Sequence, residues 1–121
     1  MGHQLTLMDR ARISRCIKRM AIQVYEHFSV NLPLHVIGLN ERGFALAKEL
    51  VSELNELRPN QDNFIHHLDV LSKGNKTIPD LSDQQVLIVD DVVFSGHTLF
   101  QALSILFHSQ EPEFIEIVSL I

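Results

Sequence analysis

The residues best equipped for chemistry lie in one string, Val86-Leu87-Ile88-Val89-Asp90-Asp91-Val92-Val93-Phe94-Ser95-Gly96-His97-Thr98. Its first four residues are apolar and read as a buried strand. That strand runs straight into two adjacent acids. Neighbouring carboxylates repel each other and are costly to desolvate unless something neutralises or hydrogen-bonds them. The vicinal hydroxyls of a sugar are suitable donors, and magnesium, a hard cation that takes oxygen ligands, is a suitable counter-charge. After a short turn, Ser95, Gly96, His97 and Thr98 open a helix. A helix start offers free N–H groups and the positive end of its dipole to an anion. The hydroxyls of Ser95 and Thr98 add donors, and Gly96 allows close backbone approach. Acids for a diol followed by donors for a phosphate match the two ends of a ribose-5-phosphate. Taken singly, Asp90 and Asp91 could simply end a strand and Ser95 or Thr98 cap a helix; their contiguity favours the ligand. His97 stays open between an imidazolium that assists the phosphate and a histidine exposed at a helix start.

The rest of the chain must position this string. Ile13, Cys16, Ile17, Met20, Ala21, Val24, Tyr25 and Phe28 recur at spacings of three and four, one face of a helix over residues 7–28. Arg12, Arg15, Lys18 and Arg19 fall mostly off that stripe and read as a solvated flank. Residues 34–39, after Pro33, form a short buried strand. Asn40-Glu41-Arg42-Gly43 reads as a turn. Phe44, Ala47, Leu50, Val51, Leu54 and Leu57 then make a second amphipathic helix, ended near Pro59. Residues 64–71 read as another strand, on which His66 and His67 point to opposite faces and cannot converge on one ion without distortion. Residues 72–84, with Gly74, Asn75 and Pro79, read as a loop whose Lys73 and Lys76 suit solvent better than a phosphate. Beyond the acidic string come a helix through Leu99, Leu103, Leu106 and Phe107 and a last strand over residues 114–120.

Helices alternating with strands predict an α/β fold: three layers, with a mostly parallel sheet of four to five strands and helices on both faces. In such sheets ligands sit beyond the carboxyl ends of the strands, where Asp90 and its successors fall. A chain of 121 residues with 45% hydrophobic and 21% charged residues suits a single domain over residues 1–121. A net charge of −5 disfavours non-specific nucleic-acid binding. The one cysteine, Cys16, cannot form an internal bridge, and no cysteine–histidine metal spacing occurs, which fits a reducing cytoplasm. No apolar run reaches the roughly 18 residues of a membrane span. The sequence stops inside its last apolar strand, which leads us to expect a chain truncated at the C-terminus.

The string from Val86 to Thr98 resembles the phosphoribosyl pyrophosphate signature of type I phosphoribosyltransferases: four apolar residues, two acids and a loop ending in Ser/Thr-Gly-x-Thr. A second segment, Val36-Ile37-Gly38-Leu39-Asn40-Glu41-Arg42-Gly43, is similar to the pyrophosphate loop of that family, most of all in the PyrR branch of pyrimidine-operon attenuators and uracil phosphoribosyltransferases. The resemblance implies that Asp90 and Asp91 face the ribose hydroxyls as the catalytic acids, with Mg2+ nearby and held indirectly. It implies that Val92, Val93, Phe94, Ser95, Gly96, His97 and Thr98 complete the ribose and 5-phosphate site. Leu39, Asn40, Glu41, Arg42 and Gly43 would contact pyrophosphate through backbone groups and the Arg42 side chain, over a strained peptide. It further implies transfer of a phosphoribosyl group from phosphoribosyl pyrophosphate to a nucleobase, a nucleotide monophosphate as the alternative ligand, and a homodimer. RNA is a partner by family analogy only, unsupported by the net charge of −5.

Two features depart from the family pattern. The connection before the signature strand is short for a lid that closes over the reacting centre, and the hood that grips the base is incomplete or absent, so no base-recognition residue can be named. These motivate a second reading, a non-catalytic phosphoribosyl- or nucleotide-binding module. A third, a flavodoxin- or receiver-like domain, would need a phosphoacceptor Asp ending another strand, where this chain has Gly38-Leu39-Asn40. The ligand reading predicts that Asp90→Asn combined with Asp91→Asn abolishes binding of phosphoribosyl pyrophosphate with little loss of fold. Calorimetry and thermal melting check this, and an unchanged dissociation constant contradicts it.

Overall fold

The computed structural model describes residues 10–69, 80–90, 104 and 114–119. The apolar stripe near the start becomes α1, Arg10–His27, with Ile17, Ala21 and Val24 buried and Phe28 buried just past its end. Residues 7–9 of the expected helix lie outside the described residues. Tyr25, assigned to the stripe by its spacing, is instead 44% exposed. Its ring carries the Arg58 guanidinium, whose Cζ sits 4.1 Å from the ring centroid, a cation–π contact that needs an accessible ring face.

β1, Leu34–Leu39, leads directly into α2, Asn40–Leu57. The separate turn expected at Asn40-Glu41-Arg42-Gly43 does not exist; those residues form the first turn of α2. The physical reason is Asn40, whose φ of 59° lies in the left-handed region. Asparagine tolerates that region better than most residues. The chain thus reverses within one residue and the helix starts at once.

β2, Asn63–Leu68, begins one residue before the expected strand and ends three before its expected end. Among the described residues β3, Gln85–Asp90, and β4, Phe114–Ser119, complete a sheet of four strands in the order β2-β1-β3-β4, with every pairing parallel. The order places β1 beside β3, with Gly38 opposite Val89. From β1 the chain proceeds to β2 on one side, and from β3 to β4 on the other. The sheet therefore reverses direction between β1 and β3, which is where doubly wound sheets open a crevice for ligands.

Both described helices cover one face of the sheet. Ile17, Ala21, Val24 and Phe28 join Ala47, Leu50, Val51 and Leu54 of α2 over Leu34, Val36, Leu87 and Val89. Side chains alternate along a strand, so Ile37, Leu39, Val86 and Ile88 belong to the opposite face, and they too are fully buried. Of the helix expected through Leu99, Leu103, Leu106 and Phe107, only Ser104 is described, as helical. The loop lysines Lys73 and Lys76 lie outside the described residues. Among the described residues no helix is long and apolar enough to cross a membrane.

A polar clamp fixes the amino end of the sheet. The buried Gln85 side chain accepts from Ser29 N at 2.6 Å and donates to Ser29 O at 2.9 Å and Leu32 O at 3.3 Å. Gln61 donates to the same two carbonyls at 2.8 and 3.0 Å. Arg58 donates to Phe28 O at 3.0 Å and to Tyr25 O, tying the end of α1 down. Removing one partner from such a set leaves buried groups unsatisfied, at about 1–3 kcal/mol. Gln85→Leu should therefore lower stability by about that amount, read as an earlier urea midpoint; an unchanged midpoint would show that water replaces the amide.

Candidate functional site

The site begins with two close backbone approaches. A Cβ on Gly38, in β1, would lie 2.3 Å from Phe44 Cα and 2.7 Å from Gly43 O. A Cβ on Gly43, in the first turn of α2, would lie 2.6 Å from Val89 O and 3.4 Å from Asp90 Cα. Neither position has room for a side chain, because the opposing atoms are backbone. The first turn of α2 is thus pressed onto the carboxyl ends of β1 and β3 together.

That contact joins the two segments singled out in the sequence. Leu39 is fully buried and stands at the N-cap of α2 with no side-chain cap hydrogen bond. Asn40 carries left-handed backbone, and no peptide bond of the loop is cis. Glu41 and Arg42 are exposed in the first turn, and Gly43 is buried against β3. Asp90 ends β3, half-buried, beside Ser119 of β4 in the ladder. The N-terminus of α2 and the Asp90 carboxylate therefore share one end of the sheet. The other expected ribose and phosphate residues, Asp91, Val92, Val93, Phe94, Ser95, Gly96, His97 and Thr98, lie outside the described residues.

The packing role of the two glycines was missed in the sequence, where Gly43 read as a turn residue. Its signal was present: two glycines five residues apart across a strand-to-helix junction, a spacing that permits close helix–strand contact. The Phe44 ring beside them is stacked on His67, with centroids 4.6 Å apart, and lies 4.9 Å from the Lys48 ammonium.

Other chemistry among the described residues is weaker. No group of three or more His, Cys, Asp or Glu there could hold a metal. A groove of about 190 Å³ between α1 and α2 is lined by Arg10, Ser14, Ile17, Glu49, Ser52 and Glu53. It is smaller than the roughly 300 Å³ at which ligand pockets begin. Its Arg10–Glu49 ion pair, at 2.9 Å, raises the arginine pKa through its hydrogen bond and charge, but surface pairs of this kind contribute little.

Comparison with known proteins adds to this geometry. Residues 3–121 match the family model described as phosphoribosyl transferase domain. A protein of Akkermansia muciniphila named Bifunctional protein PyrR is 31% identical over 130 residues, covering 98% of this chain and 73% of the relative. A protein of the same name from Deinococcus radiodurans is 30% identical over 129 residues, covering 96% of this chain and 70% of the relative. Among solved structures, a hypoxanthine phosphoribosyltransferase of Staphylococcus aureus superposes with a TM-score of 0.70 at 20% identity. That match covers 88% of this chain and 61% of the other, so the present chain spans less than two thirds of it and the likeness is one of fold.

The junction generates a test in which two effects compete. Gly→Ala inside a helix normally stabilises by about 0.8–1 kcal/mol. At Gly43 the new Cβ meets a backbone carbonyl that cannot swing aside, and overpacking costs about 1–3 kcal/mol. Gly43→Ala should therefore lower the urea midpoint; an unchanged or raised midpoint would show that the contact is looser than described.

Proposed function

The chain belongs to the phosphoribosyl transferase domain family, and from that premise we propose that it transfers a phosphoribosyl group from phosphoribosyl pyrophosphate to a nucleobase in the crevice between β1 and β3. The observation that carries the reading is the contact of Gly43 with the backbone at Val89 and Asp90. It sets an uncapped helix start and a strand-end carboxylate side by side at the reversal of the sheet.

In this reading each part of the substrate meets a different element. The backbone N–H groups of Asn40, Glu41, Arg42 and Gly43, with the Arg42 guanidinium, face the pyrophosphate at the positive end of the α2 dipole. Asp90 and Asp91 accept hydrogen bonds from the ribose hydroxyls. Val92, Val93, Phe94, Ser95, Gly96, His97 and Thr98 enclose the 5-phosphate. A carboxylate beside a polyanion is unfavourable without a counter-charge, and the hard oxygens of Asp90 and Asp91 suit magnesium. The ion, when bound, would neutralise charge on the departing pyrophosphate. A base nitrogen forms its bond to C1 of the ribose while the bond from C1 to the pyrophosphate oxygen breaks. The protein contributes positioning and fixed charge rather than a covalent intermediate. A dimer working in the reducing cytoplasm completes this reading, with Cys16 a free thiol.

The short connection between the end of β2 at Leu68 and the start of β3 at Gln85 favours a second reading. A lid that excludes water needs chain to build it, and a module with less of it could bind phosphoribosyl compounds without turning them over. Release of pyrophosphate from phosphoribosyl pyrophosphate and magnesium, assayed with uracil, a purine and orotate, separates the two. Turnover with one base, lost in Asp90→Asn, is the expected result. Tight binding without turnover would favour the sensor, and neither binding nor turnover would remove both.

A further inference from the structure

On the sheet face opposite α1 and α2, His35 of β1 and His66 of β2 meet with Nδ1 of the first 2.9 Å from Nε2 of the second. The rings are within 11° of parallel and their centroids are 5.2 Å apart. An imidazole nitrogen lies about 1.1 Å from its ring centroid, so a 2.9 Å separation can give 5.2 Å only when both nitrogens lie on the line between centroids. The rings therefore lie end to end in nearly one plane, their nitrogens aimed at each other. A metal bound by both would need nitrogens converging on it at about 2.0–2.1 Å each, not lone pairs opposed along one line. The arrangement is that of a single N–H···N hydrogen bond.

We propose that His35 and His66 form a clasp built around shared protons that fastens β2 to β1 at neutral pH and releases it in mild acid. The tautomers follow from the neighbours. The Gln84 side chain favours the charged form of His35, as an amide oxygen that accepts a hydrogen bond from the ring would. With Nδ1 committed to His66, the donating nitrogen is Nε2. A neutral His35 then accepts at Nδ1, and His66 donates from Nε2. One added proton can be absorbed: it settles on His35 Nδ1 while His66 moves its own proton to Nδ1, and the hydrogen bond reverses direction. A second proton leaves N–H facing N–H and cation facing cation, and the rings must part.

The surroundings supply no compensation among the described residues. Phe64, in register with His35, stacks on it at 5.1 Å between centroids, and β3 offers Val86. Among the described residues the influences on His35 are burial and Gln84, those on His66 are burial and the charge of His35 itself, and no carboxylate acts on either ring. Burial lowers both values from 6.5. The unfolded chain thus takes up these protons first. The clasp contributes fully above the ordinary value and is lost as pH falls through the lowered ones. Among the described strands β2 is the outermost, with a ladder to β1.

Amide hydrogen exchange on the full chain, corrected for intrinsic rates, tests this at pH 7.5 and pH 5. Protection of β2 relative to β3 should fall several-fold in acid, because the unfolded strand takes up the added protons more readily than the folded one. In His66→Phe, which keeps a ring on Phe64's side of the strand, that pH dependence should shrink to the part that burial of His35 alone supplies. Nitrogen NMR of the wild-type imidazoles reads the same device without a variant: both rings as the Nε2–H tautomer at pH 7.5, titrating in two coupled steps. A protection ratio that does not change with pH, or two rings titrating independently near 6.5, would overturn the proposal.

Discussion

The arrangement depends on one steric constraint: three backbones meet where two glycines leave no room for side chains. Gly38 admits the first turn of α2 onto β1, and Gly43 lets the same turn rest on the end of β3. Parallel strands need crossover connections, and every crossover must leave the sheet at a strand end. Here the crossover leaves so tightly that the helix start packs directly on the ends of β1 and β3. A side chain at either glycine would lift α2 and separate its N-terminal amides from Asp90.

The two ends of the sheet divide the work. At the amino end, Gln61, Gln85 and Arg58 satisfy the backbone between α1 and β1. Those hydrogen bonds hold the layers in register without occupying the crevice. At the carboxyl end, α2 starts without a side-chain cap and the backbone adopts a left-handed residue at Asn40.

Much of this was legible from the residues. β1 and β3 are mostly apolar, and buried parallel strands have that character. The helical stripe of α1 was clear from spacing, but Tyr25 was not separable from it, because its exposure depends on Arg58, which is distant in sequence. The polar stretch at Asn40, Glu41, Arg42 and Gly43 looked like a turn since its composition is that of turns; only the positive φ of Asn40 lets a helix begin there. Likewise the pairing of His35 with His66 needs the register of β1 on β2, which no local pattern encodes. The candidate site was legible as two separate motifs, one of which continues past Asp90 outside the described residues. Their contact through Gly43 and Val89 required the strand order.

The central claim is that the start of α2 and the end of β3 together receive a phosphoribosyl pyrophosphate. Backbone NMR of the full chain, titrated with that compound and magnesium, reads it directly. The account predicts the largest amide shifts at Asn40, Glu41, Arg42, Gly43 and Asp90, saturating together with one dissociation constant. Shifts confined to the groove between α1 and α2, or no saturable shift at those five residues, would contradict it.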